Sequence, residues 1–199
     1  GCTNEARPLA LKLFEIFKDY EYIVCPSGSC VAMVRHHYDE YLKDTAGFEE
    51  LKSKTFELCE FLVDVLKVER VEGEFPHRVG LHQSCHGLRE LRMGSSSEVV
   101  GPQFSKTRQL LESLDGIELC ELTRPDECCG FGGTFAVKQP ELSDAMVSDK
   151  AKYIEKTGGD VFLVGDCGCL MNIAGHLKKK NSHITGVHIA DFIWERING

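Results

Sequence analysis

The sequence predicts an α/β protein of parallel sheets flanked by helices, built as two repeats of which the first is truncated at its N-terminus. Three observations predict it. Short apolar runs alternate with longer amphipathic ones, the rhythm of strand and crossover helix. Cysteines fall where apolar runs give way to Gly- or Ser-bearing turns. Residues 5–34 also lie over residues 144–173 without a gap, so that Ala6 falls on Ala145 and Cys30 on Cys169, both 139 positions on (145 − 6 and 169 − 30).

Taken in order, a helix is expected near 4–18, then the strand YIVC ending at Cys25 and the turn PSGSC. A helix follows over about 30–42, and another over about 48–67, where Phe56, Cys59, Leu62, Val63 and Leu66 recur at helical spacing. GEFPHR (73–78) reads as a linker. The strand VGLHQS (79–84) leads to Cys85, a Gly/Ser-rich insert at 94–97 and a helix near 104–114. IELCEL (117–122) is a strand. A helix over 141–156, the strand VFLVG (161–165), the turn DCGC, a helix over 169–179 and the pair VHI and ADFIWERI close the chain.

Helix, strand, cysteine turn and helix thus recur, each time followed by a second amphipathic helix, ELCEFLVDVL or ADFIWERI. The second copy is preceded by the stretch 79–140, which has no counterpart ahead of the first. The expected domains are therefore residues 1–72, the C-terminal half of a first repeat, and residues 73–199, a complete second repeat. On this reading the chain is a C-terminal fragment of a two-repeat protein.

Composition bounds the function. Hydrophobic residues make up 42% and charged residues 27% of 199, which excludes a disordered chain. The net charge of −8 argues against nucleic-acid or anionic-membrane partners. No apolar run approaches the roughly 18 residues of a membrane span, and no charged-then-apolar leader stands at the N-terminus, so a cytoplasmic location is expected.

Ten cysteines are the outlier. Disulfide frameworks belong mostly to small, loop-rich secreted domains, whereas a reducing compartment favours metal or redox work for clustered cysteines. Cys59 and Cys120 sit in helical and strand patterns and read as small hydrophobes. Cys85, Cys128, Cys129, Cys167 and Cys169 sit at strand ends. In a parallel sheet those ends share one edge, where ligands bind. Adjacent Cys128 and Cys129 cannot both serve one tetrahedral ion without strain, but they can serve different irons of one cluster. Such a thiolate-rich site suits an iron–sulfur cluster or zinc. Gly130, Gly132 and Gly133 permit close backbone approach, with N–H groups free to point at sulfide.

HQSCHGLREL, ECCGFGGTFAVK and GDCGCLMNIAGHL, with EARPLA, PSGSCVAMVRHHY, FELCEFLVDVL and AMVSDKAKYIEKTGGD, cover nearly the whole chain outside the insert. In these strings the sequence resembles the cysteine-rich CCG domain family. That domain occurs twice in the cysteine-rich component of heterodisulfide reductase, in glycolate oxidase iron–sulfur subunits and in the lactate utilisation protein A group, the nearest of the three. The resemblance implies Cys85, Cys128, Cys129 and Cys169 as ligands of an iron–sulfur cluster, of the 4Fe–4S type and in a noncubane form if it follows the family. Asp166 stands where the family's pattern has a further cysteine, Cys167 lies off the pattern, and Cys30, with Ser27 at the preceding place, belongs to the first repeat's incomplete site.

By the same resemblance the chain is an electron-transfer subunit in the oxidation of lactate to pyruvate. It would work beside a ferredoxin-type iron–sulfur subunit and a third subunit. Prepared in air, the cluster would be lost or degraded. Glycolate oxidation and disulfide cleavage are the related alternatives. A different class is a zinc or thiol module with Cys85, Cys128, Cys169 and a histidine in a closed tetrahedral site. His82, His86 and His188 are the candidate histidines, although each reads more simply as structural. His36–His37 follow a helix, and Lys178–Lys180 end one. GFGG is not a dinucleotide fingerprint, and no P-loop, GxSxG elbow or HExxH is present. A sheet edge left open by the missing strands of the first repeat would invite a homodimer.

Overall fold

The computed structural model describes residues 2–198. Helix α1 (Thr3–Phe17) leads to strand β1 (Ile23–Cys25) and helix α2 (Gly28–Ala32), which runs on as a π turn over Met33–His37. Helices α3 (Asp39–Leu42) and α4 (Phe48–Ser53) precede β2 (Thr55–Glu57). The short helix α5 (Leu58–Glu60) continues into a second π turn, Phe61–Val65. The second part holds β3 (Arg78–His82), α6 (Cys85–Arg89), α7 (Lys106–Leu111), β4 (Glu118–Cys120), α8 (Thr134–Lys138), α9 (Pro140–Glu155), β5 (Val161–Val164), α10 (Cys167–Lys179), β6 (Thr185–His188) and α11 (Ile189–Asn198).

The protein is α/β, with parallel sheets flanked by helices. β1 and β2 pair in parallel, Cys25 opposite Glu57. The larger sheet has the order β4-β3-β5-β6, parallel throughout, with His82 opposite Val164 and Val164 opposite His188. Both its faces are covered, as parallel sheets require. Leu163 joins a core with Val79, Leu81, Leu110 and Phe192 on one face. Phe162 and Val164, its neighbours along β5, join Ile154, Ile173 and Leu177 on the other. From β3 the chain crosses to β4 on one side, and from β5 to β6 on the other. The sheet's switch point therefore lies between β3 and β5, and a crevice opens there at their carboxyl ends.

Several elements depart from the sequence pattern. The helix expected over 48–67 is interrupted by β2, whose inward residues are Thr55 and Glu57 and whose Phe56 is only half-buried, the reverse of apolar-in alternation. The helix expected over 30–42 is broken by its π turn. The short helices α6 and α8 went unread, five residues being too few to show a period. Cys59 is a core residue, 1% exposed.

The smaller sheet meets the larger one end-on. Gly28 lies so close to α6 that a Cβ there would sit 3.0 Å from Ser84 Oγ and 3.2 Å from Gly87 N. A side chain at Gly28 would therefore force α6 to give by a few tenths of an ångström.

Candidate metal centre

Each side of the crevice presents a sulfur. On the β3 side, Ser84 accepts a hydrogen bond from Gly87 N–H at 3.1 Å and so caps α6, which places Cys85 at the helix's first position. On the β5 side, Asp166 precedes α10, with Cys167 and Cys169 in its first turn. Partial positive charge at that helix start favours thiolate. The third contribution is the loop 126–133 between β4 and α8.

That loop is held by side chains from four directions. Asp126 accepts from Ser97 N–H at 2.8 Å and from Ser97 Oγ at 2.6 Å, and Arg89 Nη1 donates to its carbonyl at 3.0 Å. Lys150, fully buried in α9, donates from Nζ to Arg124 O at 2.9 Å, and burial lowers its pKa. Ser143 Oγ donates to Gly130 O at 2.8 Å, and Asn172 Nδ2 to Cys129 O at 2.8 Å. Gly130 has a φ of +82°, and a Cβ on it would meet Ser143 O at 2.8 Å. Its N–H donates to Cys128 Sγ at 3.3 Å. Gly132 and Gly133 continue the left-handed turn into α8.

The thiols of Cys85, Cys128, Cys129 and Cys169 gather closely enough that each shifts the ionisation of the next, Cys85 with Cys128, Cys128 with Cys129, and Cys129 with Cys169, and the Cys129 and Cys169 sulfurs lie within 4.8 Å of each other. They share protons unequally. The pKa of Cys128 is lowered by the neighbouring Cys129 and Cys85 thiols first, and by the Gly130 N–H, against the effect of burial. Cys169 is lowered to about 6, by Cys129 first and with help from His82, against the effect of burial. Cys85 and Cys129 are raised in turn, by those neighbouring thiols and by burial.

His82, at the carboxyl end of β3, is 1% exposed, and neither ring nitrogen has a hydrogen-bond partner. One of its nitrogens, Cys129 Sγ and Cys169 Sγ all lie within 4.8 Å of one another. Soft sulfur donors, two of them poised to ionise, beside an unpartnered buried imidazole form a donor set that fits a metal ion or an iron–sulfur cluster.

The remaining candidates sit elsewhere. Cys167 is exposed in the turn that carries Cys169. Asp166 is buried, and its Oδ1 accepts from Ser27 Oγ at 2.6 Å, Ser29 Oγ at 2.6 Å and Ser29 N–H at 3.2 Å. Burial opposes its ionisation, yet these donors hold its carboxyl below the usual range. Cys30, in the first turn of α2, is lowered to about 6 by the nearby Cys25 thiol, against burial. Cys25 is raised in return, a pairing the sequence pattern did not disclose because Cys25 reads as a strand residue. A cavity of about 30 Å³, the size of one water, lies among Gly28, Glu57, His82, Ser84, Thr107 and Asp166. His188 accepts from Ala190 N–H at its own helix start, and His86 is half-exposed beside Glu90. Among the described residues no helix is long and apolar enough to cross a membrane.

Known proteins share this pattern. The profile of the CCG cysteine-rich domain matches residues 79–174. Lactate utilization protein A of Halalkalibacterium halodurans is 42% identical over 197 residues, 97% of this chain and 76% of that protein. Its counterpart from Shouchella clausii is 42% identical over 196 residues, 97% and 78% of the two chains. Lactate utilization protein A 2 of Bacillus cereus is 39% identical over 202 residues, 100% and 79%.

Proposed function

Because the chain belongs to the lactate utilization protein A family and carries its CCG cysteine-rich domain, we propose that it is the iron–sulfur subunit of a lactate-oxidising assembly, passing electrons as lactate becomes pyruvate. The observation that supports this most is the gathering of Cys85, Cys128, Cys129 and Cys169 at the switch point of the sheet, where each thiol shifts the ionisation of the next and the Cys129 and Cys169 sulfurs lie within 4.8 Å of each other and of a His82 nitrogen. Cys85, Cys128, Cys129 and Cys169 are the proposed ligands, of a 4Fe–4S-type cluster. Such a group supplies one-electron chemistry when bound.

The chain's own residues do the rest. Cys128 and Cys169 offer ready thiolates, and adjacent Cys128 and Cys129 would serve different irons of one cluster. Gly130 N–H, aimed at the Cys128 sulfur, stabilises negative charge there and so raises the potential. Asp166 is engaged by serines at Oδ1, which leaves it a lesser candidate. Cys30 with Cys25 is assigned to a second thiol site, at the end of β1. The partners are a ferredoxin-type iron–sulfur subunit and a third subunit in the cytoplasm, with a homodimer through the edge of β1 as a further association.

Anaerobic purification with iron and sulfide analysis tests this. Brown protein, with iron and sulfide in near-equal amounts and bleached by lactate only when the partners are present, is the expected result. Colourless protein with one zinc would establish a structural module instead. Bleaching by glycolate, or turnover of a disulfide, would move the substrate to the related systems.

A further inference from the structure

We infer that His82 is a direct nitrogen ligand of the metal group, giving this centre a mixed nitrogen–sulfur donor set. The inference rests on the reading that the four thiols hold such a group.

His82 stands at the end of β3, an inner strand of the covered sheet, its ring 1% exposed and lining the small polar cavity beside Ser84 and Asp166. A buried imidazole must hydrogen-bond through its nitrogens or leave them unsatisfied, which is costly away from water. Neither nitrogen of His82 makes a hydrogen bond of proper geometry, although the Cys129 and Cys169 sulfurs lie within 4.8 Å of one of them and His82 favours the Cys169 thiolate. Buried groups of this kind call for a specific explanation, and an ion is one. Here the place for the ion is marked. Three donor atoms no more than 4.8 Å apart share a point within about 2.8 Å of each. Metal–nitrogen and metal–sulfur bonds run to about 2.0 and 2.3 Å, so the three side chains close on an ion by well under an ångström each.

The other histidine near the sulfurs does not compete. His86 is half-exposed, its Nδ1 is 3.7 Å from Cys85 Sγ, and its Nε2 lies 3.5 Å from Glu90. Imidazole in place of thiolate removes negative charge from a cluster, and the two-histidine centres of Rieske proteins have raised potentials for that reason. His82 would do the same here in smaller measure.

The whole chain, grown with 15N-histidine and loaded anaerobically with iron and sulfide, is reduced and examined by pulsed paramagnetic resonance. The expected result is the strong coupling of a bound imidazole nitrogen, altered by the label and retained in His86→Ala. In His82→Cys it disappears, iron is kept and the midpoint potential falls. His82→Ala retains iron at least about tenfold less well against a chelator. Iron and sulfide without such a coupling, or a coupling that survives in His82→Cys, overturns the inference and leaves the cluster reading standing. Wild-type protein that takes up no iron overturns both. A labelled wild-type spectrum without a nitrogen coupling overturns the inference even where a variant fails to fold, and a coupling retained in His86→Ala excludes the other histidine beside the sulfurs.

Discussion

Ser27 Oγ donates to Asp166 Oδ1 at 2.6 Å, and the two residues stand 139 positions apart in matching places, each just ahead of the helix that follows a parallel strand. The same offset aligns the two cysteine turns in the sequence. Helix starts of the two parts therefore meet across a buried carboxylate. Ser29 adds its N–H and hydroxyl to the same oxygen.

Asp166→Asn tests that junction in the metal-free chain. The carboxylate's folded pKa is depressed below its ordinary 3.8, so its contribution is present above that value and is lost as pH falls through the folded pKa. At pH 7 the variant should be less stable by about 2 kcal/mol, the scale of a charged hydrogen bond. The difference should shrink as pH drops below 3.8. Urea melts at several pH values measure it, and equal stability at pH 7 would refute it.

Glu57 behaves in the opposite sense. Burial raises its carboxyl to about 7, although the backbone N–H groups of Glu60 and Cys59 favour the ionised form. A raised folded pKa gives stability that is complete below 4.5 and is lost as pH rises through about 7. Glu57→Gln keeps the acceptor that caps α5 and removes the charge. It should match wild type near pH 4.5 and exceed it by about 3 kcal/mol at pH 8. Parallel melting curves of the two proteins from pH 5 to pH 8 would count against this burial cost.

Single changes at the four thiols should separate ligand from bystander. Cys85→Ser, Cys128→Ser, Cys129→Ser and Cys169→Ser should each lower bound iron and sulfide at least several-fold without changing the far-ultraviolet dichroism. Cys2→Ser and Cys120→Ser should leave both unaltered. Full loading of any of the first four variants would remove that residue from the site.

Gly130→Ala should cost about 2–3 kcal/mol, because the left-handed backbone is strained for alanine and the new methyl group meets Ser143 O at 2.8 Å. Thermal unfolding gives the stability change. Iron retention should fall with it, since the same residue's N–H contacts Cys128 Sγ. A stable variant with unchanged iron would show that the turn is not needed in this form.

Much of the fold was legible because its strands are short, apolar and followed by turn residues. VFLVG and VGLHQS announce β5 and β3, and the cysteines after them mark the rim. β2 was hidden because its buried residues are Thr55 and Glu57, whose inward placement depends on the helix cap that Glu57 makes through Cys59 N–H and Glu60 N–H. At the site, the spacing pointed to the four cysteines. It could not show that Cys25 meets Cys30, or that His82 rather than His86 faces the sulfurs. Strand register decides the second, since His82 shares a face with Val164 and the core that contains Cys129. Lys150 gave no signal at all, because a lysine on an amphipathic helix reads as solvated until its amine is found on Arg124 O.

The clamps on the loop 126–133 have a thermodynamic meaning. Arg89, Ser97, Ser143, Lys150 and Asn172 bind backbone and carboxylate, and none of them donates to a metal in the proposed site. The socket is thus moulded by the polypeptide alone, unlike small zinc-dependent domains whose folding is driven by the ion. Stripping and refilling are therefore exchange reactions on a finished mould, with cargo affinity spent on bonding instead of on ordering the chain.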